Sequence, residues 1–300
     1  MIAYTFDTGR QKVEKQVYQQ FEKMLITKLN YYVDKKKEAN DVGGLLNALQ
    51  LTNKFESFEK MGKQSGCLFY VPAWNTSKID PVTGFVNLLN LCYETREKAS
   101  LFFSKFERII FNAEKNWFEF VLDYSQFTTK ADGTRTNWTL CTFGERIETF
   151  RNPQTNNQWD SRTIDLTQVF KELFEENGID IHGNLKNQIC SQQKTTFFER
   201  LLHLMKLMLQ MRNSKSGSTS AEDDYILSPV ADDNGVFYDS RSFEPSLPQD
   251  ADANGAYNIA RKGLWMIRQI QSSAANERTN LSITNKEWLS FVQTKPYLDD

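Results

Sequence analysis

Pro248-Gln-Asp-Ala-Asp-Ala-Asn-Gly-Ala-Tyr-Asn-Ile-Ala-Arg-Lys262 is the stretch on which the reading of the fold turns. Asp250 and Asp252 stand one residue apart and are followed at once by small residues. From Ala256, small or apolar positions recur at helical spacing through Ile259, Ala260, Gly263, Ile267 and Ile270. The stretch reads as a carboxylate delivered at the start of a helix, whose small-residue face can press closely against a sheet. Capping is the plain alternative for either acid, because exposed amides and the helix dipole favour a negative side chain there.

Composition sets the outer limits. With 300 residues, 40% hydrophobic and 25% charged, the chain reads as an ordinary globular protein of one large or two modest domains. No apolar run approaches a bilayer span and the N-terminus lacks a signal-peptide pattern, so the expectation is a cytoplasmic protein with no membrane partner. Cys67, Cys92, Cys141 and Cys190 form no Cys-x-x-Cys pair and read as thiols in a reducing compartment. Only His182 and His203 are present, which excludes a histidine-rich metal cluster. A net charge of −2 gives bulk electrostatics no role in nucleic-acid binding, so any such surface is local.

Gly9-Arg10 opens a predicted amphipathic core helix with Val13, Val17, Phe21, Met24 or Leu25, Leu29 and Tyr32 on one face. Arg10, Lys12 and Lys15 lie on its solvated face, where they read either as ordinary surface charge or as contacts to a phosphate backbone. Gly43-Gly44 marks a turn before a second short helical stretch near Leu45–Leu51. Cys67-Leu-Phe-Tyr-Val71 is an unbroken apolar run ended by Pro72, as in a central strand covered on both faces. The turn-rich segment after it contains Trp74, read as a packed anchor, and Thr76-Ser77-Lys78, a weak phosphate-holding pattern.

Further on, helices are expected over Glu94–Phe106, Asp165–Asn177 and Lys194–Gln210. A hairpin is expected from Arg108–Phe111 and Trp117–Asp123, another strand at Asn137–Phe143, and a second hairpin from Asp224–Val230 and Gly235–Arg241. Met211–Gly217 reads as a helix end followed by a polar turn, with Arg212 placed to relieve the last helical carbonyls.

Five segments in order extend the reading: Gly9–Tyr18, Phe69–Ala73, Thr76–Val86, Leu209–Ser214 and Asp250–Tyr257. The last of these resembles the third conserved segment of RuvC-like nucleases of the RNase H fold. Together the five resemble the C-terminal part of type V-A CRISPR RNA-guided DNA endonucleases, over nearly the whole chain from Gly9. The resemblance implies a mixed α/β (α+β) chain in which a partial RNase H-like fold is split by an inserted mixed α/β domain. Residues 1–78 would be the second RuvC-like segment, 79–247 the Nuc domain and 248–300 the third RuvC-like segment.

Residue by residue, the resemblance makes Asp252 the third catalytic and metal-binding carboxylate, with Asp250 its weaker neighbour. Arg212 corresponds to the Nuc arginine needed for efficient cleavage and Asp224 to a nearby acid. A guanidinium can hold a phosphate by two hydrogen bonds or stabilise developing negative charge, and a carboxylate twelve positions on can orient it. Arg10, Lys12 and Lys78 are the candidate nucleic-acid contacts. The implied cofactor is Mg²⁺, as a two-ion site in the complete enzyme. The implied partners are DNA target strands, and CRISPR guide RNA held by an N-terminal part.

Met1–Thr8 departs from the family's second catalytic segment, whose Glu aligns immediately before Met1. One of three metal-binding carboxylates is thus expected here, so the chain alone is expected to be inactive, either as a fragment or as one half that needs a complementary N-terminal chain. The alternative is a catalytically dead module for nucleic-acid binding or assembly. The middle domain is expected to fold by itself and the RuvC-like portions to be marginal.

Overall fold

Phenylalanines from distant parts of the chain meet in one core. Phe103, Phe106, Phe118, Phe120, Phe170, Phe174, Phe197 and Phe198 are all essentially inaccessible and belong to one cluster. Each such side chain contributes about 1.5–3 kcal/mol on removal from water. The computed structural model describes residues 31–46, 49–50, 71–131, 134–215, 223–242, 246–272 and 283–294, with the single positions 17, 20, 21 and 24. It separates into two compact units, Met1–Trp74 with Ile259–Thr284, and Asn75–Asn258 with Asn285–Asp300. Among the described residues, no helix is long and apolar enough to cross a membrane.

In the first unit, strands β1 (Tyr31–Tyr32) and β2 (Leu49–Gln50) pair antiparallel. The loop between them folds on Gly43, at φ +91°, whose carbonyl accepts from the Asp34 amide at 2.7 Å. A Cβ at Gly44 would stand 2.1 Å from the Glu38 carbonyl oxygen, so only glycine fits. The predicted turn is there, but Leu49–Gln50 is a strand rather than helix, and Tyr32 is in its partner strand. The glycine turn brings the two segments back together, and pairing across it wins over local helical spacing. Val17, Phe21 and Met24 are helical as expected, yet 53%, 44% and 64% exposed, so their predicted core burial is not observed. Arg10, Lys12 and residues 67–70 of the predicted strand Cys67–Val71 lie outside the described residues, and Val71 itself is in no strand.

Also in this unit, buried Lys262 donates to the carbonyls of Pro72 and Trp74 at 3.0 and 2.6 Å. Its Nζ lies 3.8 Å over the Trp74 ring. Trp74 is thus the packed anchor that was expected.

The second unit is α+β. Helix α1 (Arg96–Ser104) is capped by the Thr95 side chain, which accepts from the Lys98 amide. Strands β3 (Arg108–Asn112), β4 (Trp117–Asp123) and β5 (Asn137–Cys141) form an antiparallel sheet in the order β3-β4-β5. The alternating burial of β4 places Phe118, Phe120 and Leu122 in the core. Strands β6 (Glu145–Asn152) and β7 (Gln158–Asp165) make a separate ribbon that leads into helix α2 (Leu166–Glu176), N-capped by Asp165. Helices α3 (Leu185–Ser191) and α4 (Thr195–Met208) follow, α4 turning Phe198, Leu201, Leu202 and Met205 inward. Strands β8 (Arg212–Ser214), β9 (Asp224–Ala231) and β10 (Phe237–Asp239) form a sheet in the order β10-β9-β8.

In this unit the three predicted helices and both predicted hairpins are therefore present. The β6–β7 ribbon and α3 were not foreseen. The ribbon is fastened by Glu148, whose side chain is 5% exposed and meets Arg162, Arg200 and His203 at 2.6, 3.2 and 2.6 Å.

Helix α5 (Ala251–Ser272) begins a turn earlier than its apolar spacing suggested, and helix α6 (Asn285–Thr294) buries Trp288, Leu289 and Val292. The segment 79–86 closes as a tight loop with an Ile79↔Val86 bridge. Asp80 Oδ1 accepts the amides of Val82 and Thr83 at 2.7 and 2.9 Å.

Candidate functional site

Asp250 and Asp252 look interchangeable in sequence, and the fold gives them different work. Asp250 caps α5: its Oδ1 accepts from the Ala253 amide at 2.7 Å, and its carbonyl from the Asn254 amide at 2.9 Å. That satisfies donors with no partner inside the helix. Asp252 is left over. It stands in the first turn with its side chain 92% exposed, and its Oδ1 is 3.9 Å from Arg212 Nη1.

The start of α5 is held in place from two sides. Asn254 Nδ2 donates to the Ile79 carbonyl at 2.9 Å and the Ser77 carbonyl at 3.3 Å. Asn258 Nδ2 donates to the Thr76 carbonyl at 2.8 Å. Both asparagines are fully buried. Upstream, the Tyr238 hydroxyl donates to the Pro248 carbonyl and Ser240 Oγ donates to the Gln249 carbonyl at 2.7 Å, tying the approach to β10. These asparagines missed notice because Asn254 and Asn258 read only as polar positions in a small-residue string. Their spacing of four, on one helical face, was the available signal.

Arg212 sits in β8, not at a helix end in a polar turn as the sequence suggested. The reason lies one residue on. Asn213 is fully buried, its Oδ1 accepts from the Ile147 amide at 3.0 Å and its Nδ2 donates to the Met211 carbonyl at 3.2 Å. The Met211 carbonyl also accepts the Leu227 amide at 2.9 Å, which draws the segment onto β9. The helix-end role predicted for Arg212 falls to Arg146. That guanidinium is fully buried, donates to the Phe143 and Glu145 carbonyls at 3.0 Å, and reaches the last α4 carbonyl, Met208, at 3.4 Å. Burial pushes Arg146 down to about 10.

Asp224 lies diagonally across the ladder from Arg212, because Arg212 pairs with Ile226 and Ser214 with Asp224. Diagonal neighbours share a face at about 7–8 Å between Cα atoms. Asp224 and Arg212 make no hydrogen bond with each other among the described residues, and Asp224 Oδ1 is buried without a hydrogen-bond partner there. Burial raises the Asp224 carboxyl above the usual range, Arg212 opposes that, and Asp250 and Asp252 reinforce it.

The result is a half-exposed guanidinium, 54% accessible and free of hydrogen bonds among the described residues, between an exposed carboxylate and a partly buried one. Such a group can take a phosphate oxygen by one or two charge-assisted hydrogen bonds. The carboxylates are a different matter. Among the described residues, no three His, Cys, Asp or Glu side chains stand together as a metal site. Lys78 is exposed on the loop that Asn254 and Asn258 hold.

A family model described as a nuclease domain matches residues 79–242. The match takes in the sheets carrying Arg212 and Asp224 and stops short of the start of α5 with Asp252.

Proposed function

The chain belongs to the nuclease-domain family, and from that premise we propose that it is the C-terminal nuclease portion of a type V-A CRISPR RNA-guided DNA endonuclease. In this reading it works on target DNA strands together with an N-terminal part that holds the guide RNA. The observation that carries the proposal is the 3.9 Å approach of Arg212 to Asp252. It joins the matched domain to the acidic segment whose sequence resembles the third RuvC-like motif. Residues 1–78 and 248–300 are then the RuvC-like pieces, with the Nuc domain over 79–247 between them.

Arg212 binds the scissile phosphate and stabilises the negative charge that grows on it during phosphodiester hydrolysis. Asp224 and Asp252 keep the guanidinium aimed by their charge without occupying its donors. Asp252 would be this chain's ligand to the implied Mg²⁺, which when bound would supply charge stabilisation to the attacking and leaving oxygens.

The test is reconstitution. The chain is mixed with the N-terminal half of a related effector carrying guide RNA, and cleavage of single-stranded DNA is followed with Mg²⁺. Cleavage that disappears in Asp252→Ala and falls about a hundredfold in Arg212→Ala is expected. A complex that forms without cleaving overturns the catalytic reading. The second reading, a module that binds without cutting, is favoured by the exposure of Lys78 and Arg212. It predicts salt-dependent single-strand binding that is indifferent to Mg²⁺.

A further inference from the structure

Away from Arg212, at the other end of β9, the β4–β5 sheet and the β9–β10 hairpin enclose a cavity of about 290 Å³. That is at the small end of ligand pockets, with room for one planar group. Trp117, Glu119, Trp138, Cys141 and Asp232 line it, with the exposed Lys115 and Arg135 at its rim, the latter 4.0 Å from the exposed Asp233. Trp117 is half-buried, and its ring is fixed edge-on against Phe143 and Phe237, at 5.8 and 5.2 Å between centroids.

The polar side is equally set. Glu119 Oε1 accepts from Asn112 Nδ2 at 2.8 Å and from Trp117 Nε1 at 3.1 Å. Its second oxygen makes no hydrogen bond among the described residues, which leaves an oriented acceptor on the cavity wall. Cys141, directly opposite Glu119 across the ladder, is buried and its thiol is pushed up to about 12 by burial and by Glu119. It therefore stays neutral beside the carboxylate. Both rim cations rest on indoles: Lys115 Nζ is 5.3 Å from the Trp117 ring centre and the Arg135 guanidinium 4.2 Å from that of Trp138. Both side chains are exposed and long enough to leave their rings.

We infer that this cavity takes one base of a single-stranded DNA, stacked on Trp117 and donating an exocyclic amino group to the free oxygen of Glu119. Lys115 and Arg135 meet the flanking phosphates. Stacking on an aromatic ring accepts any base, whereas a carboxylate placed for an exocyclic amino group favours cytosine, adenine or guanine over thymine, whose one N–H lies within the ring. Asp224 and Val230 are six residues apart on β9, about 20 Å at strand rise. A strand lying on Arg212 reaches the cavity within a few nucleotides. The choice of DNA rests on the function proposed above.

The test measures binding of short homopolymers to the full chain by fluorescence anisotropy, in EDTA so that no cleavage enters. Oligo-dC is expected to bind about tenfold more tightly than oligo-dT, the worth of one hydrogen bond to a charged acceptor, and to quench indole fluorescence. Glu119→Gln, close in shape, brings the ratio near one. Lys115→Ser with Arg135→Ser weakens both homopolymers alike. Equal affinity for the two homopolymers, a preference that survives Glu119→Gln, or no quenching in the unaltered chain would each overturn the inference. So would an RNA homopolymer binding more tightly than its DNA counterpart, or free deoxycytidine monophosphate matching the strand. Cleavage by Arg212 variants bears on the nuclease reading alone, and base preference in EDTA bears on this cavity alone.

Discussion

Arg212 Nη1 approaches Asp252 Oδ1 to 3.9 Å across forty residues of sequence, with both side chains open to water. A pair so exposed contributes little to stability, about 0–1 kcal/mol. Arg212→Ala is therefore expected to leave the melting temperature nearly unchanged while lowering reconstituted cleavage about a hundredfold. Arg212→Lys keeps the charge, loses the planar fork and should recover only part of the rate. A large drop in melting temperature for either variant would show that the arginine is structural.

Asn254 carries the opposite balance. It is buried, and its amide satisfies the Ile79 carbonyl at 2.9 Å. Asn254→Ala leaves buried carbonyls without donors and should cost about 1–3 kcal/mol. Urea denaturation of the two chains measures it. Cleavage should fall as well, because the helix start that presents Asp252 loses its hold on residues 77–79. Unchanged stability would mean that water replaces the amide.

Glu148 offers a pH test. Burial by itself would raise its carboxyl, but hydrogen bonds from His203 and Arg162, with the charges of Arg162 and Arg200, outweigh it. The group is held below its ordinary value of 4.5. A carboxyl depressed in the folded state contributes stability that is fully present above the unfolded value and lost as pH falls through the folded one. The unaltered chain should therefore lose stability below about pH 4.5 more steeply than Glu148→Gln. At neutral pH Glu148→Gln should be less stable by about 1–3 kcal/mol. Melting curves from pH 3 to 7 decide it, and parallel profiles would remove Glu148 as the source.

Gly84 has φ +70°, and a Cβ there would stand 2.7 Å from the Val292 carbonyl oxygen. Gly84→Ala should destabilise the chain by about 2–4 kcal/mol, from the left-handed backbone and the overpacking together. Chemical denaturation gives the value. A change below about 0.5 kcal/mol would show that α6 yields without cost, well under what overpacking ordinarily takes.

Much of this structure was written locally. The helical spacing through Phe198, Leu201, Leu202 and Met205 and the capping acid Asp165 needed no tertiary information. The same holds for the Asp232-Asp-Asn-Gly turn between β9 and β10, because each is set by neighbours within a few residues. The β6–β7 ribbon was illegible for a physical reason: most of Gln158–Asp165 is exposed, so no alternation marks it as a strand. Arg212 was misplaced because a three-residue strand has no period to read, and what makes it a strand is Asn213 bonding to Ile147, sixty-six residues away.

By itself the sequence determined an α+β chain with a helix opening on two acids, an arginine after a core helix, and the kind of chemistry those residue types can do. Which acid caps the helix and which stays free was decided only in three dimensions. A cap is defined by where the first unpaired amides point, and Asp250 alone reaches them. The meeting of Asp252 with Arg212 likewise needs β8, β9 and the start of α5 brought together by buried asparagines. No spacing along the chain encodes that meeting, because the bonds that impose it join residues far apart in sequence.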